Sequence, residues 1–249
     1  MDSNRQSSEL RVRKNLLDLS EVEVSDLRQA FTLLNESGEY QKFASILVHW
    51  GHTQQNDLLF LLWARAYFYE FELLLQSVVP SVTLPYWDYT SETSRKDGLP
   101  AIVANPLTES GEPNPLFRGE WREPLHTFRE TLPPPALAET AQLAETAMSF
   151  EDFVTFSTSI WKTDIFTHIW LGGSSRSTAT TAFDPIFWFS HCNLDRLWDE
   201  WQRKYDDYSA PASVESADLK PFQVDDNGTT RSLTGADVLR TAELGYTYL

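Results

Sequence analysis

Between Leu58 and Val79 the chain is apolar for long enough to cross a bilayer, and that stretch limits the folds open to it. Arg65, Glu70 and Glu72 interrupt it, so the spacing predicts a buried helix of a water-soluble protein over about Leu58–Gln76. Pro80 and Pro85 end it, since neither can donate the next helical hydrogen bond, and Leu84-Pro85-Tyr86-Trp87-Asp88 should run extended. A helix without a polar face must be wrapped by other elements. Ser20-Glu21-Val22-Glu23 reads as a capping box, followed by an apolar face of Val22, Val24, Leu27, Ala30, Phe31 and Leu34 up to Gly38. Phe150–Trp170 reads as a third major helix stopped by Gly172-Gly173, after a short one at Ala136–Met148. Asp184-Pro185 opens a fourth, with Phe187, Leu194, Leu197, Trp198 and Trp201 on its apolar face.

Four main helices joined by long irregular connections predict a mainly α structure, a four-helix bundle whose sites are built from side chains projecting inward. The 249 residues are read as a single domain, 1–249, with 1–12 a frayed tail. Residues 90–135 hold eight prolines and are expected to form an ordered wrap or a lid beside a site. Residues 206–249 show only a turn at Asp226-Asn227-Gly228. Nine Trp, nine Tyr and fifteen Phe supply a sizeable core and exclude a disordered chain. The formal charge of −16 repels phosphate backbones and anionic lipid, so neither nucleic acid nor a membrane is an expected partner. The lone Cys192 excludes an intrachain disulfide and a Cys-rich zinc module. The polar start, Met1 to Ser8, has no apolar run of a secretion signal, and the expected location is the cytoplasm.

The five histidines are His49, His52, His126, His168 and His191. Asp164 and His168 are one helical turn apart and can grip one ion from one face. His191 falls among Phe187, Trp188, Phe189 and Leu194 in the fourth helix. On pattern alone this is a weak metal signal. A satisfied core histidine and a locally paired Asp164 explain it too, although a buried, unpaired Asp164 would cost on the order of several kcal/mol. Asp195-Arg196 reads as a structural pair, and Trp63, Trp87, Trp170, Trp188 and Trp198 as core, some of them lining an aromatic pocket.

Several segments resemble the type 3 copper proteins: tyrosinases, catechol oxidases and molluscan-type hemocyanins. Arg13-Lys14-Asn15 and the helix after it are similar to the hemocyanin N-terminus. Tyr40-Gln41-Lys42-Phe43-Ala44 through His49 resembles the segment carrying the first copper A ligand. Phe60-Leu61-Leu62-Trp63-Ala64-Arg65 to Phe71-Glu72 resembles F-L-P-W-H-R…F-E, and Pro85-Tyr86-Trp87-Asp88 matches P-Y-W-D. The run from Asp184 through Ser190-His191-Cys192-Asn193 to Trp198 resembles D-P-I-F-W-L-H-H-C-N-V-D-R-L-W. The resemblance implies a hemocyanin/tyrosinase-like bundle.

It also shows what has been lost. His49 aligns with the first copper A ligand, but the second falls on Gln55 and the third on Ala64, and His52 completes no register. In the copper B half His168 and His191 match the second and third ligands, and Asp164 takes the first; Ile165 replaces the asparagine that follows it. The cysteine that crosslinks to a copper A histidine in some members is also missing. A copper pair is therefore not expected. One Asp and two His with an open position is the pattern of catalytic zinc, and the carboxylate lowers the charge of ion plus ligands by one unit. One Zn2+ per chain on Asp164, His168 and His191 is expected, with mononuclear iron the second choice.

This degraded ligand set resembles the hemocyanin-like cyclopenases of fungal quinolone alkaloid biosynthesis. That resemblance implies a redox-neutral lyase acting on an aromatic bicyclic lactam. It would contract a cyclopenin-type benzodiazepinedione epoxide to a viridicatin-type quinolone with loss of methyl isocyanate, which breaks down to methylamine and CO2. His49, freed from metal, would move a proton during the contraction, or serve only as a hydrogen-bonded core histidine. His52 is expected beside the ligands or on the surface, and His126 on a surface loop. The alternatives are a mononuclear copper or iron phenol oxidase and a non-catalytic hemocyanin-like binding protein.

Overall fold

A computed structural model describes residues 10–50, 58–206, 208–224 and 230–249. His52, Gln55 and the Asp226-Asn227-Gly228 turn lie outside the described residues. The elements run in chain order as β1 (Arg11–Arg13), α1 (Glu21–Ser37), α2 (Glu39–Trp50), α3 (Phe60–Val78), α4 (Glu92–Asp97), α5 (Ala101–Ala104), β2 (Glu120–Arg122) and β3 (Leu125–His126). They continue with α6 (Leu137–Ala147), α7 (Phe153–Leu171), α8 (Pro185–Lys204), α9 (Ala212–Glu215), β4 (Asp218–Val224), β5 (Thr230–Thr234) and β6 (Tyr246–Tyr248).

Helices α1, α7 and α8 begin where side chains satisfy their open amides. Ser20 and Glu23 form the reciprocal capping box of α1, and Gly38 ends that helix at φ +75°. Asp152 caps α7 by accepting from the Thr155 amide. Asp184 accepts from the Ile186 amide at the start of α8, with Pro185 in the first turn, where its missing N–H costs nothing. The α2 helix was not expected as an element. It resumes directly after Gly38, so one left-handed residue, rather than a loop, separates it from α1.

Every residue of α3 from Leu61 to Phe68 is buried, as is every residue of α8 from Pro185 to Asp199. No helix among the described residues is long and apolar enough to cross a membrane. The α3 helix packs on α1, α7 and α8, and α6 covers the flank of α7. Between α2, α3 and α8, Trp188 stacks on Phe71 with ring centroids 3.7 Å apart, and its indole N–H donates to the Tyr40 hydroxyl. All five tryptophans expected in the core are buried there.

Two of the charges that interrupt the apolar run, Arg65 and Glu72, are paired inside the protein. Arg13 donates to Glu72 at 2.6 Å, and Arg65 donates to Asp195 at 2.5 Å. The Tyr246 and Tyr248 hydroxyls both donate to the second oxygen of Asp195, at 2.7 and 2.5 Å. Burial pushes the Asp195 carboxyl up, but Arg65 and Arg13 outweigh it and hold the group below its ordinary range. This network explains a correction to the expected tail. Residues 11–13 are not frayed: they form β1, which pairs in parallel with β6 and carries Arg13 into the core.

The proline-rich stretch is an ordered wrap containing α4, α5 and the β2–β3 hairpin. Within it, Arg129 grips Asp184 through two nitrogens and ties the wrap to the start of α8. The C-terminal region, unassigned from sequence, holds the antiparallel pair β4–β5 and then β6.

Candidate metal centre

Three side chains from two helices converge. Asp164 and His168 stand one turn apart on α7, and His191 faces them from α8. The Nε2 of His191 lies 3.0 Å from Asp164 Oδ1, and the Nε2 of His168 lies 3.7 Å from the same oxygen. The ligand atoms of all three fall within 4.8 Å of one another. Among the described residues this is the one group of three or more His, Cys, Asp or Glu side chains able to hold a metal ion.

Both imidazoles are fixed from behind. His191 Nδ1 sits 2.8 Å from the Phe187 carbonyl oxygen, and His168 Nδ1 sits 2.8 Å from that of Ser175. A carbonyl can only accept, so each Nδ1 carries a proton and each Nε2 is the nitrogen left to face Asp164. Such backing is how proteins orient histidines toward metals. Two imidazole Nε2 atoms and a carboxylate meeting in one place call for positive charge among them, from a bound cation or a proton on a ring. A tetrahedral zinc site spaces its nitrogen and oxygen ligands about 3.3 Å apart. The two separations from Asp164 Oδ1 lie on either side of that spacing, so the residues fit one ion.

The electrostatics agree. Burial pushes the Asp164 carboxyl up, but the imidazoles of His191 and His168 pull harder and hold it below its ordinary range. Burial also holds the His168 imidazole below its usual value, which overcomes the upward pull of Asp164 and favours the neutral, ligating ring. Phe187 and Phe68 close against His191, with ring centroids 4.0 and 5.6 Å away.

The triad opens into a cavity of about 490 Å³. Helices α2 and α3 give it a wall of Leu47, Phe60, Trp63, Ala64, Tyr67 and Phe68. None of these is a metal donor of the histidine type, and Tyr67 turns its hydroxyl to the Phe43 and Ala44 carbonyls. A copper pair needs a second set of nitrogen ligands on this side, and the described residues there do not supply one. His49 is exposed near the end of α2 and is not among the cavity-lining residues. His126 is exposed on β3. Asp195 and Arg196 are both paired within the core, Arg196 with Glu200 and Asp88.

Sequence reasoning passed over most of the cavity. Trp161, Ile165 and Ile169 line it from α7, at the helical spacing that also carries Asp164 and His168. That spacing was the available signal. Ser175, Arg176, Thr178 and Thr181 line it from the connection between α7 and α8, which returns past the site only because Gly172 and Gly173 turn the chain.

Comparison with known proteins agrees with this geometry. A family model described as the common central domain of tyrosinase matches residues 36–152 and 135–204. Hemocyanin 2 of Megathura crenulata is 29% identical over 241 residues; the match covers 85% of this chain and only 7% of that protein. The tyrosinase of Streptomyces antibioticus is 30% identical over 233 residues, covering 78% of this chain and 84% of the tyrosinase. A functional unit of octopus hemocyanin superposes with a TM-score of 0.79 over 96% of this chain and 68% of its own, at 24% identity. At that identity the superposition speaks for the helical fold.

Proposed function

Since the chain belongs to the family that shares the common central domain of tyrosinase, we propose that it is a mononuclear metal enzyme of redox-neutral chemistry, derived from a copper-pair ancestor. One observation carries this reading. Asp164, His168 and His191 converge on a single point, while the facing helical wall is hydrocarbon and ring, with Ala64 at its centre. Zinc suits two imidazoles and a carboxylate better than Cu(I), which prefers softer ligands. When bound, zinc supplies a Lewis acid for a carbonyl or epoxide oxygen and stabilises negative charge developing there.

The chain's own residues do the rest. Asp164, His168 and His191 would hold the ion, and the Phe187 and Ser175 carbonyls orient both imidazoles for it. Trp63, Phe60 and Phe68 offer flat apolar faces to an aromatic bicycle. Their hydrocarbon surface keeps bulk water from a strained or electrophilic ring. The substrate class that fits is a cyclopenin-type benzodiazepinedione epoxide, contracted to a viridicatin-type quinolone with expulsion of methyl isocyanate. His49 is exposed and lies outside the cavity lining, so the proposal gives it no proton-moving step there. Its test is separate: His49→Ala should keep both the metal and the rate, and a lost rate with the metal retained would restore that role.

The direct test is turnover under nitrogen. Incubation with the epoxide should release quinolone and methylamine in equal amounts, at the same rate with and without O2. Oxygen uptake with a simple phenol, and no reaction with the epoxide, would overturn the proposal in favour of a phenol oxidase.

A further inference from the structure

The cavity is not uniform. Its α2–α3 wall is apolar, whereas its polar residues outside the triad all come from one segment, residues 175–181. Arg176 is the one Lys or Arg among the described lining residues. It is exposed, and no carboxylate among the described residues pairs with it. Its neighbour Ser175 is 4% exposed, and its hydroxyl is buried without a hydrogen-bond partner. That hydroxyl is closed off from the cavity, so Arg176 is the group of this segment left to meet an acceptor there.

The segment is held rigidly. Gly172 and Gly173 adopt φ of +61° and +51°, and a Cβ on either would lie 2.3 Å from the carbonyl oxygen of Glu130 or Phe128. No other residue fits that turn. The Ser174 amide donates to the Phe128 carbonyl and its hydroxyl accepts from the Phe128 amide. The next carbonyl, that of Ser175, is the one that orients His168. The turn that aims a metal ligand therefore also carries the free arginine.

We infer that Arg176 is a specificity-determining residue that receives a second oxygen of the ligand, so that the site selects aromatic lactams bearing two acceptors over those bearing one. One oxygen faces the Asp164–His168–His191 group and the other meets the Arg176 guanidinium. The planar fork of arginine suits a carbonyl oxygen held at the edge of a rigid ring. The inference rests on the lactam substrate class proposed above.

The test measures calorimetric binding to the metal-loaded protein with two probes: a benzodiazepinedione, with two lactam carbonyls, and the matching benzodiazepinone, with one. Wild type should bind the dione about tenfold more tightly. Arg176→Met should abolish that preference while leaving the benzodiazepinone affinity and the metal content unchanged, and Arg176→Lys should retain part of it. A tenfold preference that persists in Arg176→Met overturns the role of Arg176 and leaves the lactam reading standing. Loss of metal from Arg176→Met also overturns it, because the arginine would then serve the turn and not the ligand. If wild type binds neither probe, the lactam class fails and the inference fails with it.

Discussion

The Nδ1 atoms of His168 and His191 decide what the site can be. Each donates to a backbone carbonyl, and each turns its Nε2 toward Asp164. A carboxylate this buried is stable only with a cation or a protonated imidazole against it. Asp164→Asn keeps the shape and removes the charge; it should weaken metal binding by at least tenfold, measured by competition with a chromophoric chelator. Unchanged affinity would show that the carboxylate is not a ligand. Cys192 provides a contrast. Burial pushes its thiol up to about 12, so it should resist iodoacetamide in the folded protein at neutral and mildly alkaline pH and react only in denaturant. Rapid labelling of the native protein would contradict the buried position. Asp164 and His168 were legible from their spacing and His191 from its motif. Ser175 and Arg176 were not, because nothing local announces that a loop folds back beside a helix four to eight residues away in the chain.

Among the elements, the paired strands β1 and β6 matter more than their three residues suggest. They bring Arg13 and the Tyr246 and Tyr248 hydroxyls onto Asp195 and Glu72, beneath α3 and α8. Arg13→Met removes one partner of a fully buried ion pair and leaves Glu72 uncompensated. It should cost about 3–5 kcal/mol in urea unfolding. A loss below about 1 kcal/mol would mean that the network contributes little. The long helices α1, α3, α7 and α8 were legible because caps, prolines and apolar spacing all point the same way. The α2 helix was hidden by the single glycine before it. Strands β1 and β6 were hidden because three residues show no periodicity, and their pairing joins the two ends of the described chain.

The molecule as a whole is a largely helical bundle with a cavity lined by the Asp164–His168–His191 group from α7 and α8 and by an apolar wall from α2 and α3. An ion bound only by the folded state adds stability by mass action, about 4 kcal/mol when its concentration is a thousand times Kd. Chelation should therefore lower the Tm, and stoichiometric Zn2+ should restore it; a Tm indifferent to chelator would argue against a bound ion. The fold was legible at this level from the motif resemblance. The shape of the cavity was not, since it depends on how the connection after α7 packs. Inductively coupled plasma mass spectrometry of the purified protein, beside an Asp164→Ala/His168→Ala variant, decides between one ion and two. About one zinc per chain, absent from the variant, is the expected result, and two coppers per chain, or metal retained by the variant, would contradict it.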